Sequence, residues 1–199
     1  ARLTTENALR DAMRYDEMEL HYQPVVRLRD GAMVGVEALL RWQHPGVGLI
    51  GPGEFVPVAT DTGLILPLGR WVIEQAVQSA ARWSGLDVAA NLSARQLTDV
   101  DLVEFVSLTL RAADVAPARL CLEVTEADLI EDPDLVIEQL ARFKDLGVKL
   151  AIDDFGTGFA TLDYLRRFAT ADILKVDMSF VAGVTDPSSH DLAIVSAAM

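Results

Sequence analysis

The chain has a single cysteine, Cys121, in 199 residues. No internal disulfide can form, which suits a reducing compartment. Histidine is also scarce: His21, His44 and His190, taken with Cys121, lack the spacing of a zinc site and read as structural or surface residues. No apolar run approaches the ~18 residues of a membrane-spanning helix, and no signal peptide is legible. The first residue is Ala1, not Met, so the chain reads as a piece of a longer polypeptide. Basic residues are few. Lys and Arg number 17 against 30 Asp and Glu, a net charge of −13. That balance argues against contact with nucleic acid polymers or an anionic membrane, but it leaves room for a small phosphate ligand whose charge is offset by metal ions. Internal repeats and low-complexity segments are absent. What is present is a 51% hydrophobic, 24% charged composition, which supports a sizeable core in one domain or part of a larger one. The expected location is the cytoplasm, with any membrane anchor supplied by other domains of the full-length protein.

Residues 3–18 place Leu9, Ala12 and Met13 at helical spacing and predict a lead-in helix. Two strand-like runs, 19–29 and 32–42, meet at Asp30-Gly31, a hairpin signal. Six Gly and Pro residues in 43–53 predict a loop. Helices are expected over 54–60 and 64–83. A regular alternation follows: strand 87–93, helix 101–113, strand 119–126, helix 133–146, strand 148–155, helix 161–168, strand 171–177 and a helical stretch 190–199. Asp132 is placed as N-cap of the helix at 133–146, with Pro133 at its first position and Gly147 just past its end. Strands recurring every ~25–30 residues with helices between them are the mark of parallel βα units.

Strand periodicity sorts these segments into two faces. One is almost wholly apolar: Val88 and Leu92; Leu120, Leu122 and Val124; Leu150 and Ile152; Leu174 and Val176. The other carries Asn91, Glu123, Asp153 and Lys175 near the C-terminal strand ends, where α/β barrels and open α/β sheets place their active sites. The second strand adds Glu37 and Arg41. The run 149–159 ends in two adjacent carboxylates, Asp153 and Asp154, followed by Gly156-Thr157-Gly158. Neighbouring acids at a strand end call for a cation or a shared proton.

Glu37, Asn91, Glu123, Asp153 and Asp154 are hard oxygen donors, the type preferred by Mg²⁺ or Mn²⁺. Four carboxylates and an amide suffice for two ions, with Asp153 as a bridge, and two ions suit in-line attack of an activated water on a phosphodiester. Lys175 can hold that water or accept its proton. Arg41 can clamp a phosphate oxygen. Singly, each has a plain structural reading. Glu37 fits a half-exposed strand, Asn91 a buried turn, and Glu123 an ion pair with Lys175. Four successive polar strand ends argue for a shared purpose.

With these motifs in order, the chain resembles the EAL domain family, the bacterial cyclic di-GMP phosphodiesterases. The signature reads Glu37-Ala38-Leu39-Leu40-Arg41. It is joined by Tyr22-Gln23-Pro24, Asn91-Leu92-Ser93, Glu123-Val124-Thr125-Glu126, Asp153-Asp154-Phe155-Gly156-Thr157-Gly158 and Ala171-Asp172-Ile173-Leu174-Lys175-Val176-Asp177. The resemblance implies a TIM-like (β/α)8 barrel with an antiparallel first strand. It implies hydrolysis of cyclic di-GMP to linear pGpG with Mg²⁺ or Mn²⁺. By match to the motifs, Glu37, Asn91, Glu123 and Asp153 would bind one metal, and Asp153 with Asp154 the second. Lys175 would contact the attacking water. Gln23, Leu39 and Arg41 would contact the nucleotide. Glu126 would hold the Asp-Asp loop and Asp177 would support the site. A homodimer and an upstream sensor or GGDEF domain are the partners it implies, with residues 1–18 as linker and 19–199 as the EAL domain.

Two departures from the family pattern stand out. The usual Gly-Thr-Gly-Tyr-Ser-Ser-Leu reads Gly156-Thr157-Gly158-Phe159-Ala160-Thr161-Leu162 here, a change that tunes the loop or a nearby dimer contact. The family also continues into a seventh strand and an eighth that supply a further glutamate and a glutamine. Either these follow in the complete protein or the chain is truncated, in which case an open barrel with poor stability and little turnover is expected. The competing readings are an inactive EAL domain that binds cyclic di-GMP or a protein partner, and an unrelated metal-dependent barrel enzyme of the enolase type, which the opening hairpin argues against.

Overall fold

The computed structural model describes residues 2–128, 133–156 and 171–182. The elements are α1 (Arg2–Arg14), β1 (Met18–Val26), β2 (Met33–His44), β3 (Gly48–Ile50), α2 (Pro52–Thr62), α3 (Ile65–Arg82) and β4 (Asp87–Asn91). They continue with α4 (Ala94–Leu97), α5 (Leu102–Ala112), a 3₁₀ turn at Pro117–Arg119, β5 (Leu120–Thr125), α6 (Pro133–Leu146), β6 (Lys149–Phe155), β7 (Ile173–Val176) and α7 (Met178–Ala182). The strands form one sheet in the order β1-β2-β4-β5-β6-β7, with β3 paired to β2. β1 and β3 run antiparallel to β2; β2, β4, β5, β6 and β7 run parallel. The right-handed βα alternation puts helices on one face of the parallel run and leaves the other free for chemistry.

The apolar face of β4, β5 and β6 is buried as its periodicity predicts, whereas Leu174 and Val176 of β7 are only half-buried. Val88, Ala90, Leu120, Leu122, Val124, Leu150 and Ile152 share a core with Val72, Ile73 and Ala76 of α3, Val106 and Leu110 of α5, and Leu140 and Phe143 of α6. Each such side chain contributes about 1.5–3 kcal/mol by leaving water. Acid in the first turn and base in the last, Glu104 with Arg111 on α5 and Asp134 with Lys144 on α6, follow the helix dipole. On the opposite sheet face, Ala89, Cys121 and Ala151 form a small separate buried cluster, and burial pushes the Cys121 thiol up to about 12. Lys149 pairs with Asp87 at 2.5 Å toward the N-terminal strand ends of that face. A second core joins α1 to the sheet: Leu9 and Ala12 pack with Met18, Trp42, Phe55 and Leu68, and the Trp42 indole N–H donates to Glu17 at 2.9 Å.

Several boundaries differ from the sequence reading. The first hairpin is joined by six residues, 27–32, with Arg27 N–H bonded to Ala32 C=O at 2.8 Å and a register shift at Val25/Val26. Asp30-Gly31 lies in this turn, with Gly31 left-handed at φ +69°, but it does not close a two-residue loop. The expected loop 43–53 contains β3, because Gly48 at φ +89° folds the chain back onto β2. The strand expected over 87–93 ends at Asn91. Ser93 instead caps α4 through a reciprocal capping box with Gln96. The strand at 171–177 is shortened at both ends, where Asp172 binds the Leu150 N–H and Asp177 begins α7. The Asp132 cap and the helices expected at 161–168 and 190–199 lie outside the described residues. Among the described residues, no helix is long and apolar enough to cross a membrane.

Candidate active site

Parallel register sets the site. Glu37 of β2 stands opposite Ala89, Asn91 opposite Glu123, and Thr125 opposite Asp153. Side chains two residues apart on neighbouring strands therefore converge on one end of one face. Into their centre comes Lys175 from β7. Its ammonium Nζ lies 3.1 Å from Glu37 Oε2, 2.5 Å from Glu123 Oε2 and 2.7 Å from Asp153 Oδ2. The Asn91 amide donates to the other oxygen of Glu37 at 3.0 Å. One ligand oxygen from each of Glu37, Glu123 and Asp153 lies within 4.8 Å of the others. Three hard carboxylate donors at that spacing, with an amide beside them, fit a divalent cation such as magnesium or manganese.

Burial and charge oppose each other in this cluster. Burial of Glu123, 5% exposed, pushes its carboxyl up to about 7; Lys175 pulls it back, while Glu37 and Asp153 push with the burial. Burial opposes the charge on Lys175 too, but hydrogen bonds to Asp153 and Glu123 and the fields of Glu123 and Glu37 outweigh it and hold its pKa above the ordinary value. The two shifts pull opposite ways on one contact. We take the ion pair as the neutral-pH state, because the ammonium faces three carboxylates at once and stays charged whichever of them takes a proton.

Asp154 is not part of the trio. Its backbone is left-handed at φ +53°, its N–H donates to Asp153 Oδ1 at 2.9 Å, and burial, then the charges of Asp153 and Asp177, raise its pKa. Glu126, buried at the end of β5, accepts the Gly156 N–H at 3.1 Å, across from its own strand to the turn after β6. Asp177 accepts the N–H of Ser179 at 2.9 Å and its hydroxyl, contacts that hold its pKa below the usual range. Gln23 is exposed opposite Glu37 on β1. Arg41 donates to the Leu40 carbonyl at 2.8 Å. Leu39 faces a cleft of about 790 Å³ that also takes in Asn91, Glu123 and Asp154. Glu37, Asn91, Glu123, Asp153 and Lys175 thus meet directly, Leu39 and Asp154 line the cleft beside them, and Gln23 stands opposite Glu37 on β1.

Two residues that shape the cleft escaped the sequence reading. Asp128 accepts the Ala94 N–H at 2.8 Å, the Thr125 N–H at 3.1 Å and the Thr125 hydroxyl at 2.6 Å, tying the tails of β4 and β5 together. Nothing in the sequence marks it apart from other acids. Gln96 accepts the Ser93 N–H at 3.1 Å and its hydroxyl at 3.0 Å. Here a signal existed: Ser-x-x-Gln is a helix-start pattern.

The chain is similar to proteins already known. The family model described as EAL domain matches residues 6–198. A curated relative named bifunctional diguanylate cyclase/cyclic di-GMP phosphodiesterase MucR, from Pseudomonas aeruginosa, is 42% identical over 95% of this chain and 28% of its own length. Cyclic di-GMP phosphodiesterase PdeR of Escherichia coli is 39% identical over 98% of this chain and 30% of its own. The chain therefore spans less than a third of these curated relatives. A solved structure titled PaMucR phosphodiesterase, c-di-GMP complex, superposes with TM-score 0.89 at 42% identity, covering 98% of this chain and 80% of that one. The FimX EAL domain of Pseudomonas aeruginosa bound to c-di-GMP gives TM-score 0.86 at 26% identity, over 97% and 78% of the two chains. EAL domains are TIM-like barrels, in keeping with the parallel strand run behind an antiparallel first strand, and the family-model match over residues 6–198 places this chain in the EAL domain family.

Proposed function

We propose that this domain hydrolyses cyclic di-GMP to linear pGpG. The observation that carries the reading is the meeting of Glu37, Glu123, Asp153 and Lys175 at one end of the sheet, beside a cleft large enough for a nucleotide. Water adds to one phosphorus, the P–O3′ bond breaks, and the released 3′-oxygen takes a proton, leaving the 5′-phosphate on the linear product. Glu37, Asn91, Glu123 and Asp153 would hold one divalent ion, and Asp153 with Asp154 a second, Mg²⁺ or Mn²⁺ in each case. Such ions supply charge neutralisation at the phosphate and a more acidic water. Lys175 orients the attacking water within hydrogen-bond reach of Asp153. Gln23, Leu39 and Arg41 seat the nucleotide, Arg41 by its guanidinium on a phosphate oxygen. Glu126 fixes the turn after Asp154, and Asp177 supports that turn from the start of α7. The full protein, in this reading, works in the cytoplasm as a homodimer with an upstream sensor or GGDEF domain.

The test is to incubate the full-length protein with cyclic di-GMP and Mg²⁺ or Mn²⁺ and to separate the products by chromatography. Appearance of pGpG, lost in Glu37→Ala and in Lys175→Ala, is the expected result. Intact substrate that co-elutes with the protein would make it a receptor instead.

A further inference from the structure

We infer that Lys175 is the resident counter-ion of the metal site, so that a divalent ion binds in competition with its ammonium group. This rests on the reading of Glu37, Glu123 and Asp153 as metal ligands. The ammonium touches one oxygen of each of the three carboxylates, at 3.1, 2.5 and 2.7 Å. Those same three carboxylates bring ligand oxygens within 4.8 Å of one another. The ammonium already stands among the three carboxylates that an arriving ion would bind. Glu123 is the most enclosed of them and cannot swing out to water to accommodate both partners. Like charges at such short range repel strongly in a partly buried site. The ion therefore enters only as the ammonium gives up its share of these oxygens.

This arrangement has two consequences. Lys175 holds the three carboxylates together. With metal, affinity is lower than the donor set alone would give. Lys175 thus sets the metal occupancy of the site as well as acting on water, and its removal separates the two roles, raising affinity while abolishing turnover.

The experiment measures Mn²⁺ binding to the chelator-stripped full-length protein, by the loss of the free-ion electron paramagnetic resonance signal. Lys175→Met and the more polar Lys175→Gln are compared with the wild type and with Lys175→Arg. Both neutral variants are expected to bind Mn²⁺ about tenfold more tightly or better, and Lys175→Arg to stay near the wild type. Thermal unfolding gives a second readout. Added Mn²⁺ should raise the Tm of the neutral variants more than that of the wild type. Equal or weaker binding by both neutral variants would overturn the inference. Asp153→Asn separates that result from failure of the underlying reading. If this substitution leaves Mn²⁺ binding unchanged, the carboxylates are not the ligands, and the inference falls with them.

Discussion

Glu126 Oε2 accepts the backbone N–H of Gly156 at 3.1 Å, so the turn just after β5 holds the turn that follows Asp153 and Asp154. The acceptor is a carboxylate only 3% exposed. Gly156 is left-handed at φ +98°, and a Cβ there would lie 2.7 Å from the Phe180 ring, so the turn is pressed between β5 and α7. Glu126→Ala leaves the N–H without this acceptor and is expected to cost about 1–3 kcal/mol of stability. It should also lower kcat, by releasing the two aspartates from their position. Glu126→Gln keeps an oxygen acceptor of the same reach and should recover most of both losses. Urea unfolding and turnover of the two variants check this; equal damage from Gln and Ala would remove the hydrogen bond as the cause.

The parts of this fold that were legible are those where one physical preference acts alone. Helix-facing strand positions such as Leu122 and Leu150 could be read from a period of two, because an apolar side chain on that face has no competing partner. The convergence of Asn91, Glu123, Asp153 and Lys175 was legible for the same reason: four parallel strands that end in polar groups can place them only at one end. Lys175 lying among all three carboxylates was not legible, since a strand pattern gives the face of a residue and not the reach of a long side chain. The left-handed Asp154 was hidden too, as an aspartate fits a strand or a turn about equally well at that point. Boundaries failed where a side chain competed with the backbone ladder. Ser93 and Asp177 both leave the strand to cap the helix that follows.

Asp172 links three elements. Its carboxylate lies 2.5 and 2.7 Å from Lys144 Nζ of α6 and accepts the Leu150 N–H of β6 at 2.9 Å, just before β7 delivers Lys175. Burial is the largest single influence and raises its pKa, but the bonds from Lys144 and Leu150 and the charges of Lys144 and Lys149 together outweigh it and lower it. A depressed folded pKa gives stability that is complete above the ordinary value of 3.8 and is lost as the pH falls through the folded value. The pair is partly solvated, so the ionic part is worth about 0.2–1 kcal/mol. Asp172→Asn, which keeps an acceptor for Leu150, should be less stable than the wild type by that amount at pH 7. The gap should close in acid and shrink in high salt. Unfolding curves at pH 7 and well below pH 3.8, past the lowered folded value, decide it; a gap that persists unchanged there would rule out the charge as its source.

Gly69 is where α3 admits the side chain of Gln96. A Cβ at this position would lie 1.8 Å from Gln96 Nε2, and Gln96 is only 4% exposed. Gln96 holds Ser93 in the capping box of α4, and both residues wall the cleft beside Asn91. Gly69→Ala must therefore push α3 away or expel Gln96, at a cost of about 1–3 kcal/mol. Because the wall moves and the carboxylates do not, KM for the nucleotide should rise more than kcat falls. Gln96→Ala alone loses the cap, about 0.5–2 kcal/mol, but it opens the space that the added methyl group needs. The double variant should thus be more stable than the sum of the single losses, a coupling measurable in a double-mutant cycle. Strict additivity of the two losses would show that Gly69 and Gln96 do not share the space the structure gives them.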